Sequence, residues 1–342
     1  MSNDNLRKGE LSLAPMEEIT GYVFRRVLDR HFGHVDKYYT PFIATSQNIK
    51  LKTRALRELL PENNEGIRVI PQVLSNNYED FNRLVNRIAE YGYDEVNINF
   101  GCPSSTVVSK CKGSGIFKAP DILRTFMDGI FNGDNNIFIR HPDFRYSIKT
   151  RVGFDDTDDF YEFMDIINAY PISELIVHPR IREDYYTGVL RLDMFEYALK
   201  VSKCRVIYNG DIRTIEDYRR CISLGNSSIN SCVDDSSNPG VREVAGVMIG
   251  RGAICEPGIF REIRTGKKMS AGEYKSFLDD LYETYKAEYS IDNALFKMKE
   301  IWGYVTASMD DKEVARKIQK EISKATNEPN YKSAVREAFA NK

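Results

Sequence analysis

No stretch of this 342-residue chain reaches the roughly 18 consecutive apolar residues that span a bilayer, and the amino terminus MSNDNLRKGE lacks the apolar core of a secretory leader. A soluble, cytoplasmic protein without membrane contact is expected. Cysteine is scarce and unpaired. The six (Cys102, Cys111, Cys204, Cys221, Cys232, Cys255) show no short paired spacing, which argues against a zinc ribbon or a secreted disulfide framework and leaves free thiols. Histidine is rarer still, at four, and His31 and His34 lie three apart without the Glu of a helical zinc signature, so no metal site is expected. Nor is there a surplus of either charge. A net charge of −2 argues against a general nucleic-acid binder, so any basic surface must be local. The Gly-x-Gly-x-x-Gly dinucleotide turn is also missing: the first predicted strand ends in Ala14-Pro15-Met16, which weakens an open doubly wound sheet.

What is present is a rhythm. The chain is 42% hydrophobic and long enough for a large core and a second domain. Short apolar runs at residues 11–16, 35–42, 68–74, 95–101, 147–152, 174–178, 204–209 and 246–250 alternate with amphipathic stretches, such as those at 21–31, 78–91, 120–131 and 192–201. Strands each followed by a helix pair in parallel, and eight such units over about 250 residues predict a closed (β/α)8 TIM barrel over residues 1–264. From Ser270 onward the pattern is helical throughout, which predicts a small all-helical domain over 265–342. Within it Lys312, Arg316, Lys317 and Lys320 recur on one helix face. Two polar, turn-rich segments, 132–145 and 225–243, read as loops outside the core.

The most reactive residue stands at the end of the fourth run. Glu95-Val-Asn-Ile-Asn-Phe-Gly101 alternates polar and apolar residues as a strand does, and Cys102 follows between Gly101 and Pro103, which stop the strand. Asn99, three residues earlier, offers a donor and an acceptor beside the thiol. A barrel carries its site at the carboxyl ends of its strands, and the residues there form a coherent, mostly polar set: Pro15 and Met16, Gln72, Asn99 and Cys102, Lys149 and Arg151, His178, Asn209-Gly210-Asp211, and Gly250-Arg251-Gly252. Such a cluster suits a polar ligand, and the glycine turns after the last two strands, with Arg251, suit a phosphate.

In order along the chain these segments resemble the dihydrouridine synthases, flavin enzymes that reduce uridines in transfer RNA. The resemblance runs from Ala14-Pro15-Met16 through Gln72, Asn97-Ile98-Asn99-Phe100-Gly101-Cys102-Pro103, Ile148-Lys149-Thr150-Arg151 and Val177-His178 to Asn209-Gly210-Asp211 and Ile249-Gly250-Arg251-Gly252, and takes in Lys297–Trp302. It implies FMN as cofactor, NADPH as electron donor and tRNA as partner. Pro15, Met16, Gln72, Lys149, His178, Asn209, Gly210, Asp211, Gly250 and Arg251 would then hold FMN. Asn99, Arg151 and Tyr186 would hold the target uracil, and Cys102 would protonate it. An acid needs a protonated thiol, so a strongly depressed pKa is not expected. RNA phosphates would meet the 312–320 stripe, Arg180 and Arg182. Two departures, Pro179 after His178 and Lys112-Gly113-Ser114-Gly115-Ile116 after Cys102, fall near the substrate positions. The competing readings are a barrel flavoenzyme acting on a free pyrimidine, like a dihydroorotate dehydrogenase, and a non-catalytic RNA-binding protein with this fold.

Overall fold

Two prolines shape the sheet. In the computed structural model, which describes residues 9–46, 51–224 and 243–340, ten short strands all pair in parallel. They are β1 (Glu10–Leu13), β2 (Lys37–Tyr39), β3 (Ile43–Ala44), β4 (Val69–Ile70), β5 (Gln72–Leu74), β6 (Glu95–Phe100), β7 (Arg145–Thr150), β8 (Glu174–Val177), β9 (Arg205–Asn209) and β10 (Gly246–Ile249). Pro71 lacks the N–H that would continue the ladder, so one predicted run divides into β4 and β5; Pro41 interrupts the neighbouring run between β2 and β3 in the same way. The break is repaired locally: Gln72 N–H donates to Thr40 Oγ1 at 3.0 Å and Asn97 N–H to Pro71 O at 2.8 Å. The eight runs read from the sequence are therefore all present. The sheet order is β3-β5-β6-β7-β8-β9-β10-β1-β2-β4. Because β4 at one end continues through Pro71 into β5 near the other, the sheet closes into a barrel.

Strand parity builds the interior in layers. On β6, Val96, Ile98 and Phe100 meet the surrounding helices, where Phe100 lies edge-on to Phe126 and Phe163; Glu95, Asn97 and Asn99 alternate with them, inside. At the base Lys37 Nζ lies 3.0 Å from Glu174 Oε2 and 3.2 Å from Glu10 Oε2, a buried charge cluster to which Tyr39 adds a hydrogen bond. Above it sits an apolar layer including Ile70, Ile176, Ile207 and Met248. Above that the lining turns polar.

The segment 132–145 corrects the expectation of a loop outside the core. Ile137 and Phe144 are buried, and the ring of Phe138 stacks on Phe131 at 5.4 Å; the polar run is pinned by the aromatic and aliphatic residues within it. Residues 225–242, including Cys232, lie outside the described residues.

Four helices end the chain: Ala271–Glu288, Ile291–Ala307, Lys312–Lys324 and Glu328–Phe339. Each starts at a capping side chain, Ser270, Ser290, Asp311 and Asn327 in turn, whose oxygen accepts a first-turn N–H. Tyr274, Phe277, Leu278, Leu281, Tyr282 and Tyr285 form the buried face of the first, and Phe277 meets Phe24 of the barrel helix Tyr22–His31 edge-on at 5.9 Å. The apolar core thus runs unbroken from barrel to tail. His31 Nε2 lies 2.8 Å from Asp280 Oδ2, so this histidine ties the two together. Among the described residues no group of acidic, histidine and cysteine side chains could hold a metal, and no helix is long and apolar enough to cross a membrane. Lys312, Arg316, Lys317 and Lys320 are all exposed, opposite the buried Ala315, Ile318 and Ile322.

Candidate active site

The carboxyl ends of the strands open into a cavity of about 550 Å³, within the usual range of roughly 300–1,000 Å³ for cofactor and small-ligand sites. All fourteen residues singled out in the sequence line it. Gln72, Asn99 and Lys149 come from one side of the barrel, Pro15, Met16 and Gly250 from the other, and Asn209, Gly210, Asp211 and Arg251 from the turns after β9 and β10. Cys102, Arg151, His178 and Tyr186 complete the wall.

The backbone around Cys102 dictates a directed chain of amides. Asn99 Oδ1 accepts the N–H groups of Gly101 (3.0 Å) and Cys102 (2.9 Å), so its nitrogen must face the other way, where it donates to Gln72 Oε1 at 2.7 Å. Gln72 Nε2 in turn donates to Asn97 Oδ1 at 2.7 Å, and Asn97 Nδ2 to Ser147 Oγ at 3.0 Å. Each amide orientation is forced by the one before it. Asn99 consequently holds the cysteine turn and retains a single N–H for a ligand. Asn97 and Ser147 were not singled out by the sequence. Asn97→Leu should strand buried partners on both sides and cost about 1–3 kcal/mol in urea unfolding. From beyond the turn, Ser114 N–H and Oγ both reach Cys102 O, at 3.0 and 2.9 Å. Gly113 permits this approach: its φ is +55°, and a Cβ there would lie 2.7 Å from Cys102 O.

The electrostatics are lopsided. Lysine 149 is half-buried with no hydrogen bond or ion pair among the described residues, and burial, with the charge of Arg151, pulls its pKa down to about 7. Arg151, 1% exposed, is a strut: Nε donates to Gly101 O (3.0 Å), Nη1 to Ile181 O (2.9 Å) and Nη2 to Tyr185 O (2.6 Å). The guanidiniums of Arg151 and Arg251 lie 5.3 and 5.4 Å from the centre of the Tyr186 ring, which also neighbours the His178 ring at 6.4 Å. Burial and the surrounding cations hold His178 well below its ordinary pKa, so it is neutral; because an arginine can only donate, its Nε2 accepts from Arg180 Nη1 at 3.2 Å. Burial alone would raise the pKa of Asp211, but Arg180 and Arg251, one on each oxygen, hold its carboxyl below the ordinary value.

Burial pushes the Cys102 thiol up, and the carboxylate of Glu17 adds to this; Ser104 N–H and the charges of Arg151 and Lys149 oppose without cancelling it. The basic neighbours that act on the thiol, Lys149 and Arg151, come from β7 and the residue that follows it. The proposed RNA contact at Arg180 is overturned. Its guanidinium is 4% exposed and bonded to Asp211, His178 and Gly188 O, because the loop after β8 turns inward. Arg182 packs against Phe154 and Tyr185, each 5.3 Å away. The sequence also missed Arg213 and Tyr304 in the lining. Arg213 sits two residues past Asp211 in a turn already noted, whereas Tyr304 reaches the cavity from the helix Ile291–Ala307, which no local pattern reveals.

A closed parallel barrel with a cation-rich, partly apolar cavity at its strand ends, and a thiol held on a stiff turn, defines a barrel enzyme built for an anionic or electron-rich ligand. The dihydrouridine synthase family model matches residues 12–342, and the chain belongs to that family. It is 26% identical to the tRNA-dihydrouridine(16) synthase of Pseudomonas putida over 87% of this chain and 88% of that one. It is 23% identical to a probable tRNA-dihydrouridine synthase of Rhodobacter capsulatus over 99% and 98% of the two chains. Tyrosine 186 and Cys102 lie within all of this shared span.

Proposed function

We propose that this protein reduces the C5–C6 double bond of uridines in tRNA, using FMN that NADPH reduces. The observation that carries the reading is the half-buried Lys149, without a hydrogen bond or ion pair among the described residues, in one cavity with a Cys102 thiol whose pKa is raised. The residues present fit FMN. The lining holds Lys149, Arg151, Arg213 and Arg251 against two acids, Glu17 and Asp211, and the second acid is already paired, so an anion is wanted. Arg213 is exposed with no side-chain partner among the described residues, which suits a phosphate. The turns after β9 and β10 pack closely on each other through a glycine: a Cβ at Gly252 would lie 1.9 Å from Ile212 O.

Reduced FMN, when bound, supplies a hydride to C6 of the uracil. The chain's own residues must then manage charge and a proton. Lys149 would help to hold the flavin and, when protonated, its charge would favour electron density on the group bound beside it. Cys102 Sγ holds the proton that C5 requires, and the Asn99 turn fixes where it is held. Tyr186, half-exposed and close to two guanidiniums, would offer an aromatic surface to a base that has left its stack. The exposed Arg316, Lys317 and Lys320 offer charge to the RNA backbone. The purified protein should be yellow, be bleached by NADPH, and be reoxidised faster by tRNA lacking dihydrouridine than by free uridine or orotate. Equal rates with the free pyrimidines would favour a small-molecule enzyme, and colourless protein that binds tRNA would favour a binding role.

A further inference from the structure

The helix Ile291–Ala307 grips the cavity from both sides. Its Lys297 Nζ donates to Glu18 O at 2.8 Å and pairs with the Glu18 carboxylate, in the loop that continues from Pro15 and Met16. Two turns further along the helix, Cys255 Sγ, at the end of the short helix begun by Arg251, donates to Tyr304 O at 3.4 Å. Lys297, Glu300 and Tyr304, spaced three and four apart, lie along one helix face. Between the two grips Tyr304 enters the lining, the one side chain from beyond residue 264 to do so among the described residues.

Its backbone is fixed, yet its hydroxyl has no hydrogen-bond partner among the described residues. A half-buried phenol at a cavity wall whose oxygen has no protein partner among the described residues is left to water, which a ligand in the cavity can replace. Burial, reinforced by Tyr186 and Glu300 and opposed by Arg251, raises the pKa of this hydroxyl, so it remains a proton-bearing donor at working pH. Its neighbours are the outer members of the wall, Tyr186 and Arg251, rather than the Gln72 and Lys149 floor. A donor there, beside cations, suits the phosphate and ribose oxygens of a polynucleotide, which position a nucleotide without reading its sequence.

We propose that Tyr304 contacts the substrate directly, its hydroxyl donating a hydrogen bond to a backbone oxygen of the nucleotide that enters the cavity. The helical tail thereby contributes to the reaction chamber itself. This rests on the tRNA-reducing reading above, and Tyr304→Phe in the full-length, FMN-loaded protein tests it by removing one oxygen. Reoxidation of the reduced protein at saturating tRNA should slow about three- to tenfold, the worth of one neutral hydrogen bond. Reoxidation by dioxygen, FMN affinity from flavin fluorescence and the melting temperature should match wild type. The tRNA dissociation constant, read by fluorescence anisotropy, should change less than about twofold because many phosphate contacts carry it.

An unchanged rate at saturating tRNA would overturn the assignment. Weakened FMN binding would transfer the hydroxyl to the flavin, and weakened tRNA binding at full rate would place it on the docking surface; either also overturns it. Wild-type protein that NADPH reduces but tRNA does not reoxidise would refute the underlying function, and the assignment with it.

Discussion

Replacing Cys102 by Ala is expected to leave FMN binding and its reduction by NADPH within about twofold of wild type while slowing tRNA-dependent reoxidation by at least about a hundredfold, the usual contribution of a positioned proton donor. The protonation state of the thiol decides its role. A nucleophilic cysteine needs its thiolate and is normally served by a depressed pKa. Here burial raises the pKa, and the nearby cations do not reverse the direction. The thiol is therefore protonated throughout the working range and is lost as an acid only above its raised pKa. Alkylation of Cys102 by iodoacetamide should accordingly have its pH midpoint above the ordinary thiol value of about 8.5. Full activity of Cys102→Ala, or a midpoint well below 8, would remove the thiol from this role.

The stiffness of that turn explains why a thiol so placed can act as an acid at one position. Asn99 binds the two N–H groups ahead of the sulfur, and Ser114 holds the carbonyl behind it. Gly113 admits the loop only because it has no side chain. A geometry determined from both directions leaves little freedom at Cys102, which is what proton transfer to a single carbon requires.

The architecture was legible because strand and helix periods differ and because a barrel places its strand ends together. The pattern Glu95, Asn97, Asn99 against Val96, Ile98, Phe100 appears in the structure as inside and outside. Proline 41 and Pro71 were read as parts of strands and are instead where two strands bend. The roster of the site was legible for the same reason, since residues at the ends of seven of the eight runs converge on one cavity. Roles were harder. Arginine 151 and Asn99 were read as ligand contacts, yet most of their hydrogen-bonding groups hold the protein's own backbone, a distinction set by distances that no spacing encodes. Arginine 180, expected from the resemblance to meet RNA phosphates, is drawn inside by the carboxylate of Asp211, on a different strand end. Tyrosine 304 depends on how a helix far along the chain docks, and only tertiary packing fixes that.

Lys149→Met should make the ligand-free protein more stable and the loaded enzyme much slower. In the folded, ligand-free chain the lysine titrates near 7, against about 10.4 when unfolded. Since the unfolded state binds more protons between those values, stability rises with pH across that interval; the cost of the buried ammonium is full below about pH 7 and vanishes by about pH 10.4. At about 1.4 kcal/mol per pKa unit the cost at low pH is on the order of a few kcal/mol. Methionine has nearly the same length and no charge to desolvate. The variant should therefore melt several degrees higher than wild type at pH 6, and the difference should shrink toward pH 9. The gain should reverse in function. An anionic or electron-rich ligand raises the lysine pKa on binding, so wild-type FMN affinity should fall as pH rises above about 7, whereas Lys149→Met should bind more weakly and with a flatter pH profile. Its tRNA-dependent turnover should drop by about a hundredfold, the scale of losing one charge aimed at developing negative charge. A Lys149→Met protein that is no more stable at pH 6 than at pH 9, relative to wild type, would mean that the ammonium is better solvated than its setting between Arg151 and the barrel interior implies.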